Sequence, residues 1–317
     1  MLPEGESLPY IPEQLLKCVV FVGYEDETGN KHFMGSAFWI SRPGPEDIRQ
    51  VFRPSYLVTA AHVIDDVRKR LAPGSSRVLV RMNTPAGGQI WEDTPLHWWK
   101  THPDSGADLA VMKIHIDEGR WDHLAWPTEA FVNSTSAEED GGRRIELGDE
   151  LALAGLFYPH TGKERNIPIV RVANIAALRG EPVVNRDGYP MDAYLVECRS
   201  IGGLSGSPVF YDIYAAKRSF QGEFRHVMTP IQFRLLGVMH GHFNAPDLKA
   251  DAVAGNPIKD TDLINMGIAI VIPAERIVEV LNCFADEEAR EAERFRQSKG
   301  VSTQLAAVEA PDSGANR

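Results

Sequence analysis

Cysteine is scarce: Cys18, Cys198 and Cys283 are the whole complement of a 317-residue chain. The number is odd, the spacings are wide and no CxxC pair occurs, so no disulfide framework is expected, which fits a reducing compartment. A basic excess is also missing. With 33 Lys and Arg against 44 Asp and Glu, the formal net charge is −11, which argues against nucleic acid as the main partner, because phosphate binding needs basic patches. No run of about 18 apolar residues occurs, so no membrane helix is predicted. The opening "MLPEGESLPYIPEQLLKCVVFVG" has neither a basic start nor an apolar run followed by small residues. It does not read as a signal peptide, and the expected location is cytoplasmic. Internal repeats and low-complexity tracts are absent. Helical periodicity is weak until near the end of the chain.

What remains is a chain of ordinary globular composition, 43% hydrophobic, long enough for one large domain or two ordinary ones. Short apolar or alternating runs recur between Gly, Pro and Asp: Val19–Gly23, Ser36–Ile40, Tyr56–Ala60, Arg77–Arg81, Leu109–Ile114, Glu150–Leu156, Ile169–Ile175, Ala193–Glu197, Pro208–Tyr211, Leu235–His240 and Met266–Ile272. Rich in Val, Ile, Phe and Tyr, they read as the strands of an all-β sandwich or barrel. Pro273–Phe284 is predicted to be a helix, with Ile277, Val278, Val280 and Leu281 at helical spacing after a proline suited to a first turn. Beyond it "ADEEAREAERFRQSKG" reads as a solvated helical extension, and about 301–317 as a disordered tail. The polar stretch Thr128–Gly148 reads as a linker dividing the strands into two sets of about six. Arg42–Pro54 and Phe243–Ile264 are long insertions of the kind that carry function.

One stretch calls for chemistry. "IGGLSGSPVF", Ile201–Phe210, concentrates glycine just ahead of a predicted strand, and glycine clusters where a side chain would block the backbone. Ser205 sits in that turn. A serine hydroxyl needs a base, a group to orient the base, and donors for the oxyanion it creates. The N–H groups of Gly203 and Ser205 can supply the donors. "YLVTAAHVI" puts His62 just after one strand, and "GADLAVMKI" puts Asp108 at the mouth of another. Asp104 is a competitor, but only Asp108 directly precedes the apolar run.

"TAAH", "DLAV" and "GLSGSPVF", in that order, closely resemble the chymotrypsin-like (trypsin-like) serine peptidases, and within them the bacterial glutamyl endopeptidases and high-temperature-requirement proteases. The resemblance spans roughly Cys18–Asn282. It implies an all-β fold of two six-stranded antiparallel β-barrels with a C-terminal helix. The first barrel (14–135) carries His62 and Asp108; a linker (136–148) leads to the second (149–285), with Ser205 and the helix; 286–317 form the charged extension and tail. It implies Ser205 as nucleophile, His62 as general base, Asp108 as its orienter, and Gly203 with Ser205 as the oxyanion hole. No cofactor and no metal are expected. A substrate pocket is expected at Arg199, Ser200, His240 and His242, with donors for an acidic side chain.

The sequence departs from the family in two places. Leu204 stands where the digestive members carry an aspartate that pairs with a new N-terminus, so the turn must be held some other way. No further β domain of the kind the high-temperature-requirement proteases carry is expected in the stretch after the last strand. The expected activity is endopeptidase cleavage of a protein or peptide, restrained by a narrow pocket or an activating protein partner. The alternative is a catalytically silent trypsin-fold module that binds protein. An α/β-hydrolase is excluded because Ser207 takes the last glycine of G-x-S-x-G and the chain order is His, Asp, Ser.

Overall fold

A computed structural model describes residues 11–117, 119–132, 144–185, 188–198, 202–212, 233–244 and 265–298. It is mostly β. The first set of strands comprises β1 (Val19–Glu25), β2 (Lys31–Ser41), β3 (Ser55–Ala60), β4 (Arg77–Asn83), β5 (Gln89–Pro95), β6 (Lys100–Thr101), β7 (Leu109–Ile114) and β8 (Trp126–Pro127). They form one curled sheet in the order β5-β4-β1-β2-β3-β7-β6, with β8 parallel to β2. The second set comprises β9 (Glu150–Gly155), β10 (Ile169–Ala177), β11 (Val183–Val184), β12 (Pro190–Met191), β13 (Tyr194–Glu197), β14 (Pro208–Asp212), β15 (Phe233–Asn244) and β16 (Asn265–Pro273). Six of these close into a barrel, β10-β13-β16-β15-β14-β9, with β11 and β12 a separate ribbon.

Two closed six-stranded barrels were expected; one is closed. The first sheet has eight strands and stays open because its edges do not meet. β6 is two residues long and pairs only with β7, while β5 pairs only with β4.

Four helices complete the described chain: α1 (Gln14–Lys17), α2 (Ala61–Arg70), α3 (Glu275–Leu281) and α4 (Ala285–Ser298). None is long and apolar enough to cross a membrane. α2 lays Val63, Ile64 and Val67 on one face of the first sheet, against Val20, Val22, Trp39 and Leu57. The opposite face supplies Phe21, Phe38, Tyr56, Val58 and Val111 to a core shared with Ala152, Phe210, Leu235 and Ile270 of the second set and with Ile277 and Val280 of α3. Alternation does the sorting. On β9, Ala152 and Ala154 join this shared core, while Leu151 and Leu153 join a cluster confined to the second set. The candidate site therefore lies where two sheets are packed on one hydrophobic core.

The charged stretch expected to extend into solvent is helical but docked. Glu288 of α4 accepts from the Tyr56 hydroxyl, Glu291 pairs with Lys113 at 2.6 Å, and Arg296 pairs with Asp47 at 2.7 Å. Residues 299–317 lie outside the described residues.

Candidate active site

β3 ends at Ala60 and α2 begins at once, which sets His62 in the first helical turn. The N-cap, Ala60, has no side chain able to satisfy the free amides of that turn. Asp108 does it from a distance. Its carbonyl accepts from Ala61 N–H at 3.1 Å and its Oδ1 from His62 N–H at 2.9 Å. The carboxylate thereby also faces the positive end of a helix. Its second oxygen, Oδ2, lies 2.7 Å from His62 Nδ1. Asp108 reaches this position with φ 26° and ψ 51°, the one positive φ among the described non-glycine residues. Such backbone costs about 1–3 kcal/mol and concentrates where the surroundings impose it.

A third donor shares this carboxylate. His240, on β15, sets its Nδ1 against Asp108 Oδ2 at very short range. The two imidazoles meet edge-on with centroids 5.2 Å apart. A carboxylate facing both Nδ1 atoms fixes each ring as the Nδ1–H tautomer, which leaves Nε2 of His62 as its basic atom. Burial opposes protonation of His62, but the hydrogen bond and charge of Asp108, with the charges of Asp66 and Asp65, outweigh it and raise the imidazole above its ordinary range. For Asp108, burial is outweighed by the His240 and His62 hydrogen bonds, and the carboxyl is held well below the usual carboxylate range. The His62 side chain keeps 37% of its surface exposed against 10% for Asp108, so the base faces solvent and the acid does not.

Ser205 joins through the same histidine, by its backbone. The hydroxyl donates to the His240 carbonyl at 3.0 Å. A hydroxyl has one proton, so in this arrangement it is not given to His62. The turn around Ser205 runs through Gly203 at φ +100° and Gly206 at φ +82°. At Gly206 a Cβ would come within 2.1 Å of the Ser36 carbonyl, so this position admits no side chain. Leu204 is fully buried and packs with the cluster of the second set. Among the described residues the N–H groups of Gly203 and Ser205 have no hydrogen-bond acceptor.

Of the expected pocket residues, Arg199 and Ser200 lie outside the described residues, as does the side chain of His242. His240 is described, and its Nδ1 engages the Asp108 carboxylate. The three ligand-capable atoms of His62, Asp108 and His240 lie within 4.8 Å of one another, a donor set that suits zinc. Zinc bonds of about 2.0–2.1 Å spread neighbouring ligands about 3.3 Å apart. Here the same atoms are linked by hydrogen bonds, at 2.7 Å between His62 and Asp108.

Sequence reasoning missed Ser36. Its signal was present: a lone polar residue in the apolar run "GSAFWI". It is fully buried on β2 and bonds to the Ser205 turn.

No protein-family model matches the chain, and no curated protein matches it. Solved structures do. The chain is similar to Deg5, with 16% identity, a TM-score of 0.48, and coverage of 86% of this chain and 90% of that one. It is also similar to an inactive form of a serine-to-alanine mutant of Rv3671c from M. tuberculosis, with 15% identity, a TM-score of 0.39, and coverage of 88% and 98%.

Proposed function

We propose that the chain is a trypsin-like serine endopeptidase, with Ser205 as nucleophile, His62 as general base and Asp108 as orienter. The closed barrel and the curled sheet are read as the two halves of a double barrel, 14–135 and 149–285, joined through 136–148. The observation that carries the proposal is the Asp108–His62 pair, buried acid to half-exposed base at 2.7 Å, with the Ser205 hydroxyl anchored on the carbonyl of the next residue in the same network.

In this reading the hydroxyl leaves the His240 carbonyl for Nε2 of His62 when substrate enters. Oγ attacks the scissile carbonyl carbon while His62 takes its proton. The Asp108 carboxylate stabilises the imidazolium and remains ionised itself. The N–H groups of Gly203 and Ser205 receive the oxyanion, and donors of this kind are each worth about 2.7–4 kcal/mol in the transition state. Collapse breaks the C–N bond, and the departing amine takes the proton from His62. Water then repeats the sequence on the acyl-enzyme, releasing the acid and restoring Oγ–H.

A second reading has its own support. The resting hydroxyl bonds to a carbonyl and not to the base, which fits a binding module that is silent, or silent until a partner arrives. A fluorophosphonate separates them. The peptidase reading expects stoichiometric labelling of the wild-type chain that Ser205→Ala abolishes, with peptide cleavage falling by about 10⁶. Labelling that persists in Ser205→Ala places the nucleophile elsewhere. Labelling of Ser205 only after a protein partner is added favours a gated enzyme, and none under any condition favours the binding module.

A further inference from the structure

Leu204 leaves a physical question open. Among the described residues, a turn that must aim two amides at one point has no ion pair and no disulfide, yet it has to resist rotation. One residue of the other sheet touches it repeatedly. Ser36 Oγ donates to the Gly203 carbonyl at 2.9 Å, and Ser36 N–H donates to the Ser205 carbonyl at 2.9 Å. The same Oγ accepts from Leu156 N–H at 2.8 Å, just past the end of β9. The Ser36 carbonyl accepts from Thr59 Oγ1 at 2.7 Å, which ties β2 to β3 three residues before His62. All four polar functions of this fully buried residue are thus accounted for.

The pattern of peptide units gives these bonds their meaning. The Gly203 carbonyl belongs to the 203–204 peptide and the Ser205 carbonyl to the 205–206 peptide. The Ser205 N–H lies on the peptide between them, which is itself tied by Ser207 N–H to the Leu204 carbonyl at 3.0 Å. Ser36 therefore holds the units on both sides of the amide that meets the oxyanion. The 205–206 unit has a second tie, Gly206 N–H to the Met239 carbonyl at 2.8 Å. Among the described residues, the Gly203 carbonyl has only the Ser36 hydroxyl. Glycine geometry lets the strand and turn approach this closely: a Cβ on Gly35 would come 3.0 Å from the Ser205 carbonyl. A buried serine that served only its own strand would bond within that strand; the side chain of this one bonds entirely across the sheet boundary.

We propose that Ser36 is a positioning residue: its hydroxyl fixes the Gly203 peptide, and with it the oxyanion-binding turn, to the first sheet, doing by hydrogen bonds what an ion pair at position 204 would otherwise do. The proposal rests on the peptidase reading for its catalytic consequence and on geometry alone for the turn.

Two readouts test the two parts. Ser36→Ala removes the tie; Ser36→Cys keeps the side-chain shape with a weak donor and serves if the alanine variant does not fold. The first readout is the second-order rate constant for phosphonylation by an alkyl fluorophosphonate, in which the Ser205 Oγ–P bond forms, P–F breaks and the proton passes to His62. It is expected to fall about 10–100-fold, with the final labelled fraction unchanged. A merely structural role lowers that fraction and leaves the rate constant of the labelled molecules alone. The second readout is ¹⁵N relaxation dispersion at the Gly203, Leu204 and Ser205 amides. Exchange is expected in the variants and not in wild type, with Val196 on β13 as an unaffected control. An unchanged rate constant overturns the proposal, and so does a slower one with unmoved amides, since the effect would then not run through the turn. If wild type resists the fluorophosphonate under every condition, the peptidase reading fails, and quiet amides in both variants then overturn the positioning role as well.

Discussion

The Asp108 carboxylate accepts from three donors at once: His62 N–H, His62 Nδ1–H and His240 Nδ1–H. The first builds a helix terminus, the second orients a base, and the third shares the negative charge that the base depends on. That sharing has a measurable sign. In the proposed peptidase only neutral His62 takes the serine proton, so kcat/KM should rise with pH through the His62 pKa and fall below it. Because that pKa is raised above the ordinary imidazole range, the acid limb should lie above the pH at which a free histidine titrates. His240→Leu removes one donor from the carboxylate, leaves its charge more fully on His62, and should move the limb further up by about 0.5–1 unit. Asp65 and Asp66 of α2, the other charges that face His62, stay in place. His240→Asn, with a side-chain N–H where Nδ1 was, should keep the limb near wild type. A limb that does not move in His240→Leu means that the second imidazole does not share the carboxylate in solution. The pairing of His62 with Asp108 was legible from two motifs flanking strands. His240 was read as a pocket residue from the resemblance, and no local pattern in the sequence signals that its ring meets Asp108.

At the scale of elements, the strands were legible because each is a short apolar run between turn residues; every run named from the sequence falls on a strand. What escaped was of another kind. β5, "QIWEDTP", is an edge strand with half-exposed residues and no apolar alternation to betray it. α2 runs ten residues, and its cap comes from a residue far along the chain. α4 was read as solvated because a charge run usually is; its partners, Tyr56, Arg42 and Lys113, lie on or beside distant strands. Lys113 tests the docking. Its side chain is 6% exposed and faces Glu291 at 2.6 Å, with Glu287 at 3.5 Å as a weaker second. Glu291→Gln leaves an ammonium in a poorly hydrated place with its better partner neutralised. The variant should be less stable by about 1.5–3 kcal/mol, the range of hydrogen bonds to charged groups. The check is urea unfolding with a lower midpoint and the wild-type slope. An unchanged midpoint would mean that α4 is not held to the sheet by this pair.

For the whole molecule, the number of closed barrels was the part least legible, because closure depends on whether the two edges of a sheet reach each other, and no local pattern encodes that. The halves are joined by two kinds of interaction. One is polar. Arg81 on β4, 4% exposed, donates from Nη2 to the carbonyls of Gly162 and Lys163 at 2.8 and 3.1 Å, while Asn166 Nδ2 donates to the Arg81 carbonyl at 2.7 Å and Asn166 N–H to Asn83 Oδ1 at 2.6 Å. The other is the core to which Phe21, Phe38 and Val58 contribute from one side and Ala152, Phe210 and Ile270 from the other. Magnitudes decide which dominates. A clamp of this size contributes a few kcal/mol at most, whereas each fully buried large apolar side chain contributes about 1.5–3 kcal/mol. The shared core should therefore govern cooperativity. Arg81→Met, which leaves two loop carbonyls without their donor, should lower the melting temperature and still unfold in a single calorimetric transition, with van't Hoff and calorimetric enthalpies in agreement. Two resolved transitions in Arg81→Met, from one in wild type, would mean that the polar clamp and not the common core makes the halves fold as a unit.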